Sequence, residues 1–244
     1  MVDHIRNLGV MKIKMKEFHK SSIFNLQFSL PITSAFFIVI FVILATQSSP
    51  AQTWHAVKWI DDGDTIVLTT GQRIRYLGIN APEIDHKQRK AQPFGYQARS
   101  FNKNLLSNRH IRLEFDIERY DQYGRLLAYV FLPDGSLVNS RLLLDGMAFY
   151  LYRWPNVKYE KILFQAQLAA MASGKGLWHK WKEDNDRYIG NLKSRRFHAA
   201  SCPYARKIKR TNRIEFASKW EAFRAGYAPA KECIVQFWSY EEKN

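Results

Sequence analysis

Short runs of β-branched and aromatic residues, separated by glycines, dominate residues 54–79. The runs read HAVKWI, TIVLTT and QRIRYLGI, and Gly63 and Gly71 interrupt them. Runs of this kind, bounded by turn residues, predict β-strands. The sequence therefore predicts three successive strands, with Thr70-Gly71 forming a tight hairpin turn between the second and the third.

Strand and helix patterns follow one another after this region. Ala98, Phe101 and Leu105 recur at helical spacing and predict a helix over residues 96–108. The other predicted elements are strands at 111–115 and 126–132 and helices at 138–146 and 159–173. This order indicates an α+β domain. A five-stranded Greek-key barrel fits the strand count, and a small closed barrel is the most economical sheet.

Charge and size narrow the class of protein. The chain has 244 residues, of which 46% are hydrophobic and 24% are charged, as expected for a globular protein. Its net charge of +15 favours binding to a polyanion such as a nucleic acid or an anionic lipid surface. The alternative interpretation is that the charge serves solubility alone.

The N-terminal segment has the pattern of a targeting signal. Several lysines precede an apolar run at Pro31–Thr46, whose core is shorter than the roughly 20 residues of a bilayer span. Ser49 and Ala51 are placed like the small residues of a cleavage site. Residues 1–51 are therefore predicted to be a secretory signal peptide, with an uncleaved membrane anchor as the alternative. A signal peptide would associate with the membrane only transiently. The domain is expected outside the cytosol, either secreted, periplasmic or anchored.

Acidic, amide and guanidinium groups lie at the ends of neighbouring predicted strands. Asp64 stands where the turn in IDDGDTIVL passes into a strand, and the next strand carries Arg75 and ends at Asn80 and Glu83. Oxygen donors from such loops favour calcium or magnesium over zinc. Taken singly, Asp64 has the alternative role of a turn cap, and Arg75 that of a solvated strand residue.

A second arginine, Arg125, follows Asp121 in the stretch DQYGR. A cation and guanidinium groups around a carboxylate suit cleavage of a phosphodiester, because they neutralise the charge that grows on the phosphate oxygens. The guanidinium fork of arginine also matches two phosphate oxygens at once. The alternative is that Asp121 to Gly124 form only a turn.

The ordered set of these motifs resembles the staphylococcal nuclease (thermonuclease) family. The resemblance covers residues 53–181 and rests on DDGDT, RYLGINAPE, DQYGRLLAYVF and LVNSRLLLDGMAFYLY. It implies an OB-fold barrel with three helices. It also implies a calcium-dependent nuclease of DNA, RNA or both that leaves 3′-phosphate ends.

The resemblance also assigns roles to single residues. Asp64 would bind calcium, and Ala81 would offer its backbone carbonyl. Asn80 stands where the best-known members carry a second calcium-binding aspartate, so one formal charge is lost and we expect weaker calcium binding.

The remaining assignments concern the substrate. Arg75 would contact the scissile phosphate, Glu83 would be the general base, and Arg125 would stabilise the transition state. Tyr150 and Tyr152 match tyrosines that line the nucleotide pocket in relatives; their alternative role is packing at the edge of the barrel.

A small basic α+β module is predicted at residues 188–235, with a short helix in WEAFRAGY that ends at Gly226. It contains both cysteines of the chain, Cys202 and Cys233, with His198 four residues before the first. It resembles in outline the zinc-binding domain of the Ada DNA-repair protein, which has four cysteines. The three residues here suit a Cys202–Cys233 disulfide, a zinc site that lacks an obvious fourth ligand, or free thiols. Lys207, Lys209, Arg210 and Arg213 would form a phosphate-binding patch.

The sequence therefore predicts an exported, calcium-dependent nuclease that acts as a monomer on DNA, RNA or both. The alternative is a module at the cell surface that binds nucleic acid without cutting it. Catalytically silent relatives of this fold lose the arginines or the glutamate, whereas Arg75, Glu83 and Arg125 are all present in this chain.

Overall fold

Five strands close into a barrel in the computed structural model, which describes residues 52–85, 90–182 and 186–231. The first six strands are β1 (Trp54–Ile60), β2 (Thr65–Leu68), β3 (Arg73–Tyr76), β4 (Ile79–Asn80), β5 (His110–Glu114) and β6 (Leu126–Phe131). The barrel order is β1-β2-β3-β6-β5, and β3 and β6 run parallel while their other neighbours are antiparallel. The predicted five-stranded α+β barrel is confirmed.

Three helices cover this barrel, as predicted: α1 (Gly95–Leu106), α2 (Val138–Leu144) and α3 (Glu160–Ala172). Gly146 has φ 65° and its N–H bonds the carbonyl of Leu143, so α2 ends where the sequence indicates. A two-residue strand, β7 (Phe149–Tyr150), pairs with β4 outside the barrel. The sequence did not predict this pair, since strands this short have no periodicity.

Apolar side chains of neighbouring strands fill the interior of the barrel. Ile74 pairs with Ile66 on one side and with Leu126 on the other, and both isoleucines are 0% exposed. A buried amide also ties the sheet to a helix: Asn139 of α2 donates to the carbonyl of Leu77 at 2.8 Å and accepts from the N–H of Val130 at 2.9 Å. The strands that carry the candidate site residues are thus fixed from inside and outside.

The C-terminal module is also α+β. Its elements are β8 (Tyr188–Asn191), β9 (Arg196–Ala199), α4 (Pro203–Arg206), β10 (Arg213–Phe216), α5 (Lys219–Arg224) and β11 (Ala228–Pro229). They form a sheet of order β10-β8-β9-β11, in which β9 and β11 are parallel. The α+β class of the module and the short helix that ends before Gly226 were predicted, whereas the order of the strands was not.

The module and the barrel domain share a hydrophobic core. Phe223 of α5 is 0% exposed, and its ring lies 5.8 Å from that of Phe149 and 5.0 Å from that of Trp178. Gln167 of α3 adds a buried polar link: it accepts from the N–H of Tyr150 at 2.7 Å and donates to the carbonyl of Phe223 at 2.9 Å. The two regions therefore pack as one body, and the predicted boundary between residues 181 and 188 stays a prediction.

The predicted signal segment, residues 1–51, lies outside the described residues. Within the part of the chain that the structure describes, the helices are too short or too polar to cross a membrane.

Candidate active site

The turn before β2 is built by local hydrogen bonds and a close backbone approach. The N–H of Asp64 donates to Oδ1 of Asp62 at 2.9 Å, and Asp61 pairs with Arg73. A Cβ on Gly63 would lie 2.5 Å from the Cβ of Ala81 and 2.7 Å from that of Ala98. Asp61 and Asp62 thus shape the turn, and only a glycine lets the turn approach the loop that follows β4.

Asp64 is a buried carboxylate, 4% exposed. Its Oδ2 accepts the N–H of Ala81 at 2.6 Å and lies 3.0 Å from Nη2 of Arg75. Burial raises the pKa of Asp64 to about 7; Asp62 and Glu83 also raise it, and Arg75 and the N–H of Ala81 oppose them. A cation beside Asp64 would favour its charged form, because burial leaves that charge poorly solvated.

Arg75 contacts both side chains that are predicted to bind the metal, Asp64 and Asn80. Its Nη2 donates to Oδ1 of Asn80 at 2.9 Å as well as facing Asp64 at 3.0 Å, and its Nη1 donates to the carbonyl of Tyr76 at 2.7 Å. Because one nitrogen faces both oxygens, the Asp64 and Asn80 oxygens must be close neighbours. The β4–β7 pair, in which Asn80 lies opposite Phe149, holds this arrangement in place.

The donor set fits a hard divalent cation. The carboxylate of Asp64, the amide of Asn80 and the carbonyl of Ala81 supply oxygen atoms from two adjacent loops, and Nδ2 of Asn80 lies 3.2 Å from that carbonyl. Calcium and magnesium prefer such oxygens. Among the described residues no three His, Cys, Asp or Glu side chains form a cluster suited to a metal, so a cation here would depend on amide and backbone oxygens.

Glu83 is fixed through its backbone. Its N–H donates to Oε1 of Gln92 at 2.9 Å, and its carbonyl accepts the N–H of Gln92 at 2.9 Å. Its side chain is 39% exposed and lies 4.0 Å from Nζ of Lys231. The carboxylate of Glu83 therefore reaches solvent, while the backbone that carries it is tied to the loop before α1.

Arg125 lies just before β6. Since Leu127 pairs with Arg75, the alternation of the strand places Arg125 on the same face of the sheet as Arg75. Its Nε donates to Oδ2 of Asp121 at 2.7 Å. Burial raises the pKa of Asp121, but the hydrogen bonds from Arg125 and from the N–H of Tyr123 outweigh it and lower the pKa overall. The carboxylate of Asp121 is thus held in its charged form, and it orients the guanidinium of Arg125.

The two predicted nucleotide-pocket tyrosines differ in exposure. Tyr150 is 2% exposed and its ring packs 5.5 Å from that of Phe164. Tyr152 is partly exposed, and the guanidinium of Arg195 lies 4.4 Å from its ring centre. The structure therefore leaves Tyr152 the more accessible ring, whereas Tyr150 has the surroundings of a core residue.

The cysteine and histidine of the module lie together. Sγ of Cys202 is 3.7 Å from Nδ1 of His198, and Cys202 is disulfide-bonded. Cys233 lies outside the described residues, so the predicted ligand set of Cys202, Cys233 and His198 stays a prediction.

Comparison with known proteins decides the family. Residues 73–180 match the family described as "Staphylococcal nuclease homologue". A thermonuclease of Staphylococcus hyicus is 35% identical over 160 residues, in a match that covers 60% of this chain and 94% of the relative. The chain belongs to the staphylococcal nuclease family. A thermonuclease of Staphylococcus intermedius is 37% identical over 129 residues, which cover 52% of this chain and 76% of that protein.

A longer match is found in a larger protein of the family. Endonuclease YhcR of Bacillus subtilis (strain 168) is 31% identical over 211 residues, in a match that covers 75% of this chain and 17% of YhcR. The predicted resemblance to this family is confirmed, and the family is metal-dependent.

Sequence reasoning did not find three residues near the site: Gln167, Arg195 and Lys231. The sequence contains a feature that could have pointed to Gln167, because it is a polar residue within the apolar stripe of a predicted helix. No such feature points to Arg195 or Lys231, since both come from the module and approach the site only through tertiary packing.

Proposed function

We propose that the protein is an exported nuclease that hydrolyses phosphodiester bonds of DNA, RNA or both, with calcium as its cation. The observation that carries the proposal is the cluster of Asp64, Arg75 and Asn80, in which a buried carboxylate, an amide oxygen and a guanidinium meet at one point. The names of the relatives, thermonuclease and endonuclease, support the same reaction class.

The arginines would bind the scissile phosphate. Arg75 is held by Asp64, Asn80 and the carbonyl of Tyr76, and Arg125 is held by Asp121. Guanidinium groups fixed before substrate arrives do not need to reorganise when charge develops on the phosphate oxygens. Their role would be to stabilise that charge from the face of the sheet that they share.

Glu83 would act on the attacking water. Its carboxylate is partly exposed, so it can reach a water molecule, and its backbone is fixed by Gln92. A carboxylate in this position orients the water and accepts its proton. Release of the 5′-oxygen then leaves a 3′-phosphate end.

Asp64, Asn80 and the carbonyl of Ala81 would hold the cation. When bound, calcium would supply positive charge to the phosphate oxygens. The amide of Asn80 brings an oxygen without a formal charge, so we propose weaker metal binding than an aspartate at this position would give.

The substitutions Glu83→Gln and Arg125→Ala test this mechanism. We expect each to lower kcat by about 100-fold or more on plasmid and on single-stranded DNA, because each removes a group that acts in the transition state. Excess chelator should abolish cleavage by the wild-type protein, and added calcium should restore it. Single-stranded RNA in a parallel assay measures the preference between the two nucleic acids.

Glu215→Gln is the matched control, since Glu215 is exposed on β10 of the module. It should cleave like the wild-type protein. If Glu83→Gln and Arg125→Ala cleave at the wild-type rate, the assigned mechanism is wrong. If the folded wild-type protein binds nucleic acid but does not cleave it with any divalent cation, the protein is a binding module instead.

A further inference from the structure

One edge of the C-terminal module lies beside the candidate active site. The edge consists of β11 and the start of β9, where Ala228 pairs with Arg196 and Pro229 with Phe197. Lys231 follows three residues after Ala228, so it lies about 10 Å further along the strand direction than Arg196. Side chains at the two ends of this edge contact the barrel domain at two different points of the site.

At one end, Lys231 faces the proposed general base. Its Nζ lies 4.0 Å from Oε1 of Glu83, and its side chain is 79% exposed. An exposed ion pair at this distance contributes little to stability. The ammonium can therefore turn from Glu83 to an anion of the substrate, and it lies beside the proposed general base.

At the other end, Arg195 covers the accessible tyrosine. Its guanidinium lies 4.4 Å from the ring centre of Tyr152, and its Nη1 donates to Glu160 at 3.0 Å. The next residue, Arg196, donates from Nη2 to the carbonyl of Tyr152 at 3.1 Å. Arg195 also has φ 50°, a left-handed conformation that costs a non-glycine residue energy. The hairpin between β8 and β9 accepts this strain while placing a planar cation against Tyr152.

The opposite edge of the module does not have this arrangement. Arg213 on β10 donates to the carbonyls of Ile208 and Arg206, both at 2.7 Å, and Lys207 lies 4.9 Å from the ring centre of Tyr204. These basic groups bind the module itself. The charge that faces the barrel is on the β11 edge.

We propose that this β11 edge is one wall of the substrate groove for a single-stranded polynucleotide, an inference that rests on the proposed nuclease function. Lys231 binds a phosphate of the strand beside the scissile bond. Arg195 is a positioning residue that holds the ring of Tyr152 in place for a base to pack against it. The module thus contributes to substrate binding at the active site.

Lys231→Ala, Arg195→Lys and the control Lys103→Ala test the proposal; Lys103 is exposed on α1 of the barrel domain. Binding of labelled oligothymidylate is measured by fluorescence anisotropy with a chelator present, over a range of salt. An abasic oligomer of the same length carries the same phosphates without bases. Cleavage of the oligothymidylate with calcium gives KM and kcat, and thermal melting of each variant reports its folding.

We expect Lys231→Ala to weaken the binding of both oligomers several-fold and to reduce the slope of log K against log salt by about 0.7, the value for one lost phosphate contact on a single strand. Arg195→Lys keeps the charge but loses the planar group. It should therefore weaken the binding of oligothymidylate and leave the binding of the abasic oligomer unchanged. KM should rise in both variants, with kcat within about twofold, and Lys103→Ala should match the wild-type protein.

Two results would overturn the proposal. One is a Lys231→Ala variant whose affinity, salt slope and KM equal those of Lys103→Ala. The other is an Arg195→Lys variant whose affinities for the two oligomers change by the same factor. Neither result touches the proposed nuclease function, which fails only if the wild-type protein does not cleave nucleic acid.

Discussion

At the scale of single residues, the site depends on how closely two loops approach. Gly63 sits against Ala81 and Ala98, and Asp64 and Ala81 are joined by the short hydrogen bond across the same gap. The missing side chain at Gly63 thus determines where the carboxylate of Asp64 lies. Asn80 lies in the same gap and accepts from Arg75, so the loss of one acidic charge relative to the family's best-known members does not prevent the cluster from forming.

The substitution Gly63→Ala tests this dependence. A methyl group there would overlap Ala81 and Ala98, so we expect a loss of about 1–3 kcal/mol of stability from overpacking. The displaced Asp64 should also lower kcat/KM. Urea denaturation and initial rates measure the two effects.

Gly71→Ala serves as the comparison for Gly63→Ala. Gly71 has φ 87° and open space around its Cα, so an alanine there should cost stability through backbone strain while leaving activity intact. Equal activity of the two variants would show that the approach at Gly63 does not position Asp64.

At the scale of elements, an ionic cluster connects the barrel to a helix. Glu114 at the end of β5 lies 2.5 Å from Nζ of Lys158, 2.8 Å from Oη of Tyr159 and 3.0 Å from Nη1 of Arg112. Tyr159 directly precedes α3, the helix that carries Gln167. The end of the barrel strand and the start of the helix are thereby held together.

This cluster predicts a pH dependence of stability. Burial raises the pKa of Glu114, but the hydrogen bonds from Lys158, Tyr159 and Arg112 outweigh it and lower the pKa below 4.5. A folded pKa below the unfolded one means that the stabilisation is present above pH 4.5 and is lost as the pH falls through the folded pKa.

Glu114→Gln should therefore be less stable than the wild-type protein at neutral pH, by about 1 kcal/mol for a partly exposed cluster. The difference should disappear in acid, below both pKa values. Denaturant midpoints across this pH range measure it. A difference that is constant with pH would show that the charge of Glu114 is not what stabilises the contact.

At the scale of the whole molecule, the barrel domain and the module are not independent. Their shared core contains Phe149 and Trp178 from one side and Phe197 and Phe223 from the other. The β7 segment that leads to Tyr152 is held through Gln167, which also binds the module. Folding of the module should therefore stabilise the segment that carries Tyr150 and Tyr152.

Phe223→Ala tests the shared core. A fully buried phenylalanine reduced to alanine costs about 3–5 kcal/mol, and because its neighbours come from both regions, the whole protein should melt at a lower temperature in one transition. Tryptophan fluorescence and far-ultraviolet circular dichroism should give the same midpoint.

Leu192→Ala, at an exposed position of the module, should leave that midpoint nearly unchanged. Two separate transitions in Phe223→Ala, with the barrel domain melting as in the wild-type protein, would contradict the shared core.

Sequence patterns predicted most of the barrel domain. Local periodicity and turn chemistry depend only on neighbours in the chain. They were sufficient to predict the strands β1 to β3, the turn at Gly71, the helices α1 to α3 and the end of α2 at Gly146. The motifs around Asp64, Arg75, Glu83 and Arg125 were also sufficient to identify the family, because their residue types and order are set by the chemistry of the site.

Tertiary structure alone decided the rest. The β4–β7 pair and the sheet of the module join short strands from distant parts of the chain, so no local pattern predicts them. The burial of Tyr150 and the arrival of Arg195 and Lys231 at the site likewise depend on packing. What the sequence determined by itself is the chemistry that each residue can perform. Packing decided which of those residues meet: the close approach at Gly63 brings Asp64 to Ala81, and the shared core brings the module to the barrel domain.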